Sequence, residues 1–116
     1  DFFGKESALF VPSGTMGNLI GVMAHTWERG SEYILGDRCH VFLYEQGGAA
    51  QFGGSHPRTV RTADDGTLDL TEVAAAVRGD DQHYPVSRLL CIEDTHNMCG
   101  GRVVPLSFHE KIGEMA

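Results

Sequence analysis

Three polar segments of the sequence carry side chains that could bind a ligand or move a proton. They are the hydroxyl-bearing turn at 13–15, segment 37–45 with His40, and segment 93–97 with His96. An imidazole can transfer protons near neutral pH or lie against a flat ring. Each segment alone is also typical of ordinary turns and helix caps. Their chemistry therefore depends on whether the fold brings them together.

The turn formed by Ser13, Gly14 and Thr15 lies between an apolar run at 9–11 and a helical pattern at 16–27. This order predicts a strand, a turn and a helix. The first backbone N–H groups of a helix have no partner within it, and its dipole favours negative charge. The turn lacks the lysine of a P-loop and the spacing of a dinucleotide fingerprint. Its amides and the Thr15 hydroxyl are therefore expected to hold one terminal phosphate.

Strand and helix patterns alternate along the chain, which predicts an α/β fold with three layers, a largely parallel sheet and helices on both faces. Predicted strands cover 9–11, 31–37, 58–62 and 88–94, and predicted helices cover 16–27, a short stretch from 38, 68–78 and 105–116. Ligands of such sheets bind beyond the carboxyl ends of the strands. We therefore expect the three polar segments to converge at one edge.

Several expectations concern which residues are buried. The near-continuous apolar strand 88–94 is expected to be buried on both faces, and the glycine-rich segment 47–54 to be an exposed loop. Helix 68–78 carries one apolar face, made of Leu70, Val73, Ala74 and Val77. Phe42 is expected in the core, whereas Tyr44 fits the core or a site wall equally well.

The bulk composition limits the classes of partner. The chain has 116 residues and a net charge of −7, which disfavours long-range attraction to nucleic acid or to an anionic membrane. None of its apolar runs approaches the roughly 20 residues of a membrane span. With 41% hydrophobic and 22% charged residues, the composition is that of a folded soluble protein. We expect neither a nucleic-acid nor a membrane partner.

The cysteines bear on location and on metal binding. Their number, three, is odd, which argues against a disulfide framework and favours free thiols in a reducing compartment. A cytoplasmic location is expected, with a mitochondrial one as the alternative. The potential zinc ligands are Cys39, His40, Cys91, His96 and Cys99. Their spacing matches none of the compact zinc motifs, so no metal site is predicted, and Cys91 is expected to be a core thiol.

Three stretches taken together resemble a known family. "ALFVPSGTMGN", "DRCHVFLYEQGGAAQFGG" and "IEDTHNMCGGRVVPL", in this order and spacing, resemble the low-specificity L-threonine aldolases. These are pyridoxal 5'-phosphate enzymes of the aspartate-aminotransferase fold (fold type I). The resemblance covers nearly the whole chain and includes the "DDGTLDL" turn and helix. It implies aldol cleavage of L-threonine or L-allo-threonine, a β-hydroxy-amino acid substrate, to glycine and acetaldehyde in a homotetramer with sites at dimer interfaces.

The resemblance also implies roles for individual residues. Gly14 and Thr15 would hold the phosphate of the cofactor, with Ser13 shaping the turn. His40 would lie against the pyridine ring as a cofactor-binding and catalytic residue. Tyr44 would line the substrate side, and His96 would act as the base that faces the β-hydroxyl of the substrate.

The family's cofactor-binding lysine, the aspartate that pairs with the pyridine nitrogen, and the arginine after it all lie downstream of the matching segment. Lys5 and Lys111 are the two lysines here, and neither has the family's lysine context. The chain opens with Asp1 and stops inside a helical pattern. We therefore expect residues 1–116 to be a single partial domain, the front part of the large cofactor-binding domain, and to be inactive alone.

Two alternatives remain open from the residues. One is a β-eliminating lyase that uses the same cofactor on aromatic or sulfur amino acids. The other is a truncated protein that binds partners without catalysis. One position also departs from the family motif, because Asp94 stands where the family usually has asparagine. A carboxylate only accepts hydrogen bonds, which raises the question of what Asp94 contacts.

Overall fold

The computed structural model describes residues 3–116. In chain order the elements are α1 (Gly14–His25), β1 (Ser31–Gly36), α2 (His40–Leu43), α3 (Gly48–Gly53), β2 (His56–Val60), α4 (Leu70–Ala76), β3 (Val86–Cys91), a 3₁₀ turn (Asn97–Cys99) and α5 (Leu106–Met115). Within the described range, no helix combines the length and the apolar character needed to cross a membrane.

The three strands form one parallel sheet in the order β2-β1-β3. Strand β1 is central and every one of its residues is buried. Leu35 of β1 pairs with Thr59 of β2 and with Cys91 of β3. The predicted α/β class with a parallel sheet is confirmed, because two consecutive crossovers through helices return the chain to the same sheet direction.

Alternate residues of β1 face two separate apolar clusters, since successive side chains of a strand point to opposite faces. On one face Ile34 packs with the α4 and α5 side of the molecule, and the first core cluster comprises Ile34, Val60, Leu68, Val73, Ala76, Val104 and Phe108. On the other face the second core cluster comprises Val22, Tyr33, Leu35, Cys39 and Ala49, from α1, β1 and the segments after β1. Helices thus cover both faces, which gives the three predicted layers.

The predicted strand at 9–11 does not form. These residues have no regular secondary structure, and Phe10 is 95% exposed. A strand exists only where its backbone pairs with a neighbour, and none of β1, β2 and β3 pairs with this run. Apolar side chains alone therefore do not make this run a strand, because it pairs with none of the strands in the described residues 3–116.

The segment 88–94 is less buried than expected. Residues 89–93 are half-buried and residues 89–92 pack against the two core clusters, but none is fully buried, because β3 lies at the edge of the described sheet with only β1 beside it. Segment 47–54 is mainly helix α3 instead of a loop, since Gly47 and Gly54 adopt left-handed backbone at its two ends and Ala49 is buried. Left-handed φ angles are available to glycine at little cost, which lets this short helix start and stop.

The helix predictions are correct in type and differ in detail. Helix α4 buries Val73 and Ala76. Ala74, expected on the apolar face, is exposed, and Val77 is exposed because the helix ends at Ala76. Phe42, expected in the core, is exposed. Its helix α2 has a single turn, and Val41 is the residue of that turn that packs on the second core cluster.

Gly36 ends β1 in a crowded position. A Cβ added there would lie far inside van der Waals contact of Thr62 Oγ1 and 3.1 Å from Leu68 Cδ2. Thr62 cannot easily yield, because its N–H donates to Asp37 Oδ1 at 2.9 Å and its hydroxyl oxygen accepts from Arg38 N at 3.3 Å. We expect Gly36→Ala to lower the free energy of unfolding by about 1–3 kcal/mol, measured by urea denaturation.

Gly79→Ala is the matched control, because nothing lies within 4 Å of a Cβ added at Gly79. Its free energy of unfolding should change by less than about 0.5 kcal/mol. Equal losses in the two variants would contradict the steric explanation.

Candidate active site

Hydrogen bonds join two of the three polar segments, 37–45 and 93–97, and also join segment 37–45 to helix α1. The backbone N–H of His40, after β1, donates to Glu93 Oε2, after β3, at 2.6 Å. Asn18 of α1 donates from Nδ2 to Glu45 Oε1 at 2.7 Å. Segments separated by 27 to 53 positions along the chain are therefore in direct contact.

The turn at 13–15 forms the N-terminus of α1. Ser13 is the N-cap, and its hydroxyl oxygen accepts from Met16 N at 3.2 Å. Its hydroxyl therefore shapes the turn. Gly14 and Thr15 are exposed, and a Cβ added at Gly14 would meet nothing within 4 Å. Thr15 lines a cavity of about 240 Å³ that Asn18 and Glu45 also line. The open amides of this turn suit an anion.

His40 begins α2 and is held by a carboxylate. Its Nδ1 lies 3.0 Å from Glu45 Oε1, and the Glu45 side chain is almost fully buried. A carboxylate at Nδ1 favours the tautomer with the proton on that atom, which leaves the lone pair on Nε2. Tyr44 is adjacent, with ring centroids 5.4 Å apart and the rings tilted by 46°. Tyr44 is exposed, and its hydroxyl lies 3.5 Å from Met98 Sδ.

Glu45 and Asn18 orient His40, and the sequence did not predict this role for either. Glu45 stands at the end of the polar segment 37–45. A glutamate five residues after a histidine, across a single helical turn, was the available signal for the first. For Asn18 the sequence offered no signal, because its contact with Glu45 forms only when α1 packs beside the segment between α2 and α3.

Glu93 connects the two loops of the site. Its Oε2 accepts from His40 N, and its Oε1 accepts from Asn97 N at 2.8 Å. Asp94 instead faces the start of α5. Its Oδ1 accepts from Val104 N at 3.1 Å, and its Oδ2 lies 3.2 Å from His109 Nε2. Both neighbours of the Asp94 carboxylate are nitrogen atoms that can donate a hydrogen bond to it. An aspartate therefore fits this position, although the family usually has asparagine there.

His96 lies deeper than its implied role suggests, because it is 1% exposed. A Cβ on Gly66 would lie 3.0 Å from His96 Cβ and 3.3 Å from Cγ, so the imidazole packs beneath the turn that contains Gly66. Neither ring nitrogen has a hydrogen-bond partner within residues 3–116. An imidazole buried without partners carries a free-energy cost, and such a group calls for an explanation.

The three cysteines are free, as the odd number predicted. Burial raises the pKa of Cys39 to about 11 and that of Cys91 to about 12. Cys91 packs against the second core cluster, in agreement with its expected place as a core thiol. Both thiols are therefore neutral at physiological pH in the absence of another ligand.

Residues 1–116 match the family model of the beta-eliminating lyases, and the chain belongs to that family. It is 54% identical over 115 residues to the probable low-specificity L-threonine aldolase 2 of Arabidopsis thaliana, a match that covers 97% of this chain and 32% of the relative. It is 43% identical over 111 residues to the low specificity L-threonine aldolase of Escherichia coli strain K12, covering 96% of this chain and 32% of that relative. The chain thus spans about a third of the length of these curated relatives.

Proposed function

We propose that residues 1–116 form the front part of the cofactor-binding domain of a lyase that cleaves L-threonine or L-allo-threonine to glycine and acetaldehyde. One observation carries this proposal. A continuous series of hydrogen bonds runs from Asn18 through Glu45 and His40 to Glu93, close to the N-terminus of α1. It links α1, whose first turn offers free backbone N–H groups to an anion, to an oriented imidazole, the two groups that a phosphate-bearing aromatic cofactor needs.

We propose pyridoxal 5'-phosphate as the cofactor. The open amides of Gly14 and Thr15 suit its phosphate, and the half-exposed ring of His40 suits its pyridine ring. When bound, this cofactor supplies an electron sink for the carbanion that carbon–carbon cleavage leaves behind. Neither Lys5 nor Lys111 lines the two cavities at this edge. The lysine that anchors the cofactor would therefore come from the region that the relatives have beyond this match.

Each remaining residue then has a role toward the substrate. Glu45 holds the His40 ring in one orientation through Nδ1, and Tyr44 lines the substrate side. His96 takes the proton from the β-hydroxyl, which is the step that starts cleavage of the carbon–carbon bond. Because His96 is buried, this role requires its ring to swing toward the cavity of about 190 Å³ lined by Cys39, His40 and Glu93.

A β-eliminating lyase acting on aromatic or sulfur amino acids is the second candidate, because the matching family model carries that description. It would share the phosphate-binding turn. The two histidines favour aldol cleavage, since a base near the β-hydroxyl has a use only when that hydroxyl is present.

A chimera tests the proposal. Residues 1–116 would replace the matching segment of the Escherichia coli relative, to which they are 43% identical. We expect the chimera to bind pyridoxal 5'-phosphate, seen by its visible absorbance, and to release acetaldehyde from L-threonine. His40→Ala should lower that activity by about 10²-fold or more.

The products separate the two candidates. Pyruvate and ammonia from L-cysteine, without acetaldehyde from L-threonine, would favour the β-eliminating lyase. A folded chimera with neither activity nor cofactor absorbance would contradict both lyase proposals and favour a protein that binds partners without catalysis.

We also propose a homo-oligomer, a tetramer in the complete protein, in a cytoplasmic location. Several large apolar side chains are exposed, including Leu9, Phe10 and Trp27, and an assembly would cover such surface. The three free cysteines fit a reducing compartment. Sedimentation velocity of the chimera would measure the assembly, and a monomer would contradict it.

A further inference from the structure

Three potential metal ligands meet between the loop after β1 and the loop after β3. They are the Cys39 thiol, the Glu93 carboxylate and the His96 imidazole, and their ligand atoms all lie within 4.8 Å of one another. Cys39 and His96 are buried and Glu93 is half-buried. The sequence-based expectation of no metal site rested on spacing along the chain, whereas this cluster joins residues that are 57 positions apart.

The His96 ring is the second observation that points to a ligand. It is 1% exposed, and neither nitrogen has a hydrogen-bond partner within residues 3–116. One ring nitrogen lies within 4.8 Å of both the Cys39 sulfur and a Glu93 oxygen. A metal ion bound there would give a bond to a ring nitrogen that is otherwise buried without a hydrogen-bond partner, which is unfavourable for the folded state.

The donor set selects the type of metal. One thiolate sulfur, one imidazole nitrogen and one carboxylate oxygen are the ligands of Zn²⁺, whose bonds to them are about 2.0–2.3 Å long. Tetrahedral geometry at those lengths separates the ligand atoms by about 3.5 Å, so the cluster needs only small side-chain movements. Each oxygen of Glu93 already accepts one hydrogen bond, and an ionised carboxylate has about four lone-pair sites, so it retains room for a metal bond.

A cavity beside the three ligands has room for the fourth ligand of a tetrahedral ion. Cys39 and Glu93 line the cavity of about 190 Å³ that His40 also lines. A zinc ion with three protein ligands keeps one position for water or another small ligand, and this cavity offers the room for it.

We propose that Cys39, Glu93 and His96 form a binding site for a single Zn²⁺ ion. On binding, the Cys39 thiol passes its proton to solvent and coordinates as a thiolate. A second consequence rests on the proposed function. Zinc on His96 removes the base that would face the β-hydroxyl, so zinc inhibits the lyase reversibly.

Cobalt substitution tests the site in the 116-residue chain itself. We expect one Co²⁺ per chain to give the d–d bands of a tetrahedral ion and a thiolate-to-cobalt charge-transfer band, and Zn²⁺ to displace both. Cys39→Ser should remove the charge-transfer band and weaken Zn²⁺ binding at least about tenfold. His96→Leu should weaken binding likewise, which provides a second variant if Cys39→Ser does not fold by circular dichroism.

Cys91→Ser is the matched control, since Cys91 is a neighbouring thiol outside the cluster. It should keep the charge-transfer band. A band lost in Cys91→Ser and kept in Cys39→Ser would overturn the ligand assignment. The absence of any cobalt or zinc binding by the folded chain would overturn the site.

Inhibition is measured separately in the chimera. Zinc should lower acetaldehyde release by the chimera, and excess chelator should restore it. In the Cys39→Ser variant the same zinc concentration should inhibit acetaldehyde release less. If the chimera has no activity, the proposed function fails while the cobalt result still decides the metal site. If cobalt binds but zinc leaves activity unchanged, the inhibitory consequence is wrong.

Discussion

Replacing His96 by leucine is expected to make the chain more stable and the chimera far less active. The stability gain arises because leucine of similar size removes a buried ring whose two nitrogens have no partners within residues 3–116. Relief of that penalty should raise the free energy of unfolding by about 1–3 kcal/mol. Loss of a general base should lower kcat/KM by about 10²–10⁴-fold. Urea denaturation with a chelator present and acetaldehyde release measure the two effects.

The control for this prediction is His83→Leu. The His83 side chain is exposed and pairs with Asp81 Oδ1 at 2.7 Å, on the loop before β3. Its replacement should change the free energy of unfolding by less than about 0.5 kcal/mol and leave activity unaltered. A destabilised His96→Leu variant would mean that the His96 ring nitrogens have hydrogen-bond partners in solution. A stabilised and fully active variant would remove His96 from the reaction.

Replacing Arg78 by methionine is expected to destabilise the chain by about 3 kcal/mol, because it leaves a buried carboxylate without its cation. Glu32, on the central strand β1, is fully buried. Its Oε2 accepts from Arg78 Nε at 3.0 Å, and its Oε1 accepts from the Ser87 hydroxyl at 2.6 Å. The Arg78 guanidinium also lies 4.8 Å from the centroid of the Tyr84 ring, so some cation–π stabilisation is lost as well.

A double-mutant cycle separates charge from packing. Glu32→Gln removes the charge and keeps an oxygen for the Ser87 hydroxyl. In that background Arg78→Met should cost less than about 1 kcal/mol, since no buried charge is left behind. Urea denaturation of the four chains gives the coupling free energy. Equal costs in both backgrounds would show that packing of the Arg78 stem accounts for the loss, and the ion pair would then contribute nothing.

The amino-acid sequence by itself determined the order and type of most elements. The helical spacing of α1, α4 and α5 and the apolar runs of β1 and β3 depend on residues that are neighbours along the chain, so periodicity predicted them. The parallel sheet followed from the alternation of strands and helices. The burial of individual residues could not be predicted from the sequence, because it depends on which elements pack beside one another. The run 9–11 pairs with none of the strands of the described sheet, and β3 lies at the edge of that sheet.

The same distinction applies to the site. The sequence identified His40, His96 and the turn at 13–15 as candidate site residues, because their residue types and local spacing suffice to recognise them. The tertiary structure alone decided that Asn18 and Glu45 orient His40, and that Cys39, Glu93 and His96 meet. These contacts join residues far apart in the chain. They arise only because parallel pairing of β1 with β3 brings the loops after both strands to one edge, where buried polar atoms must find partners.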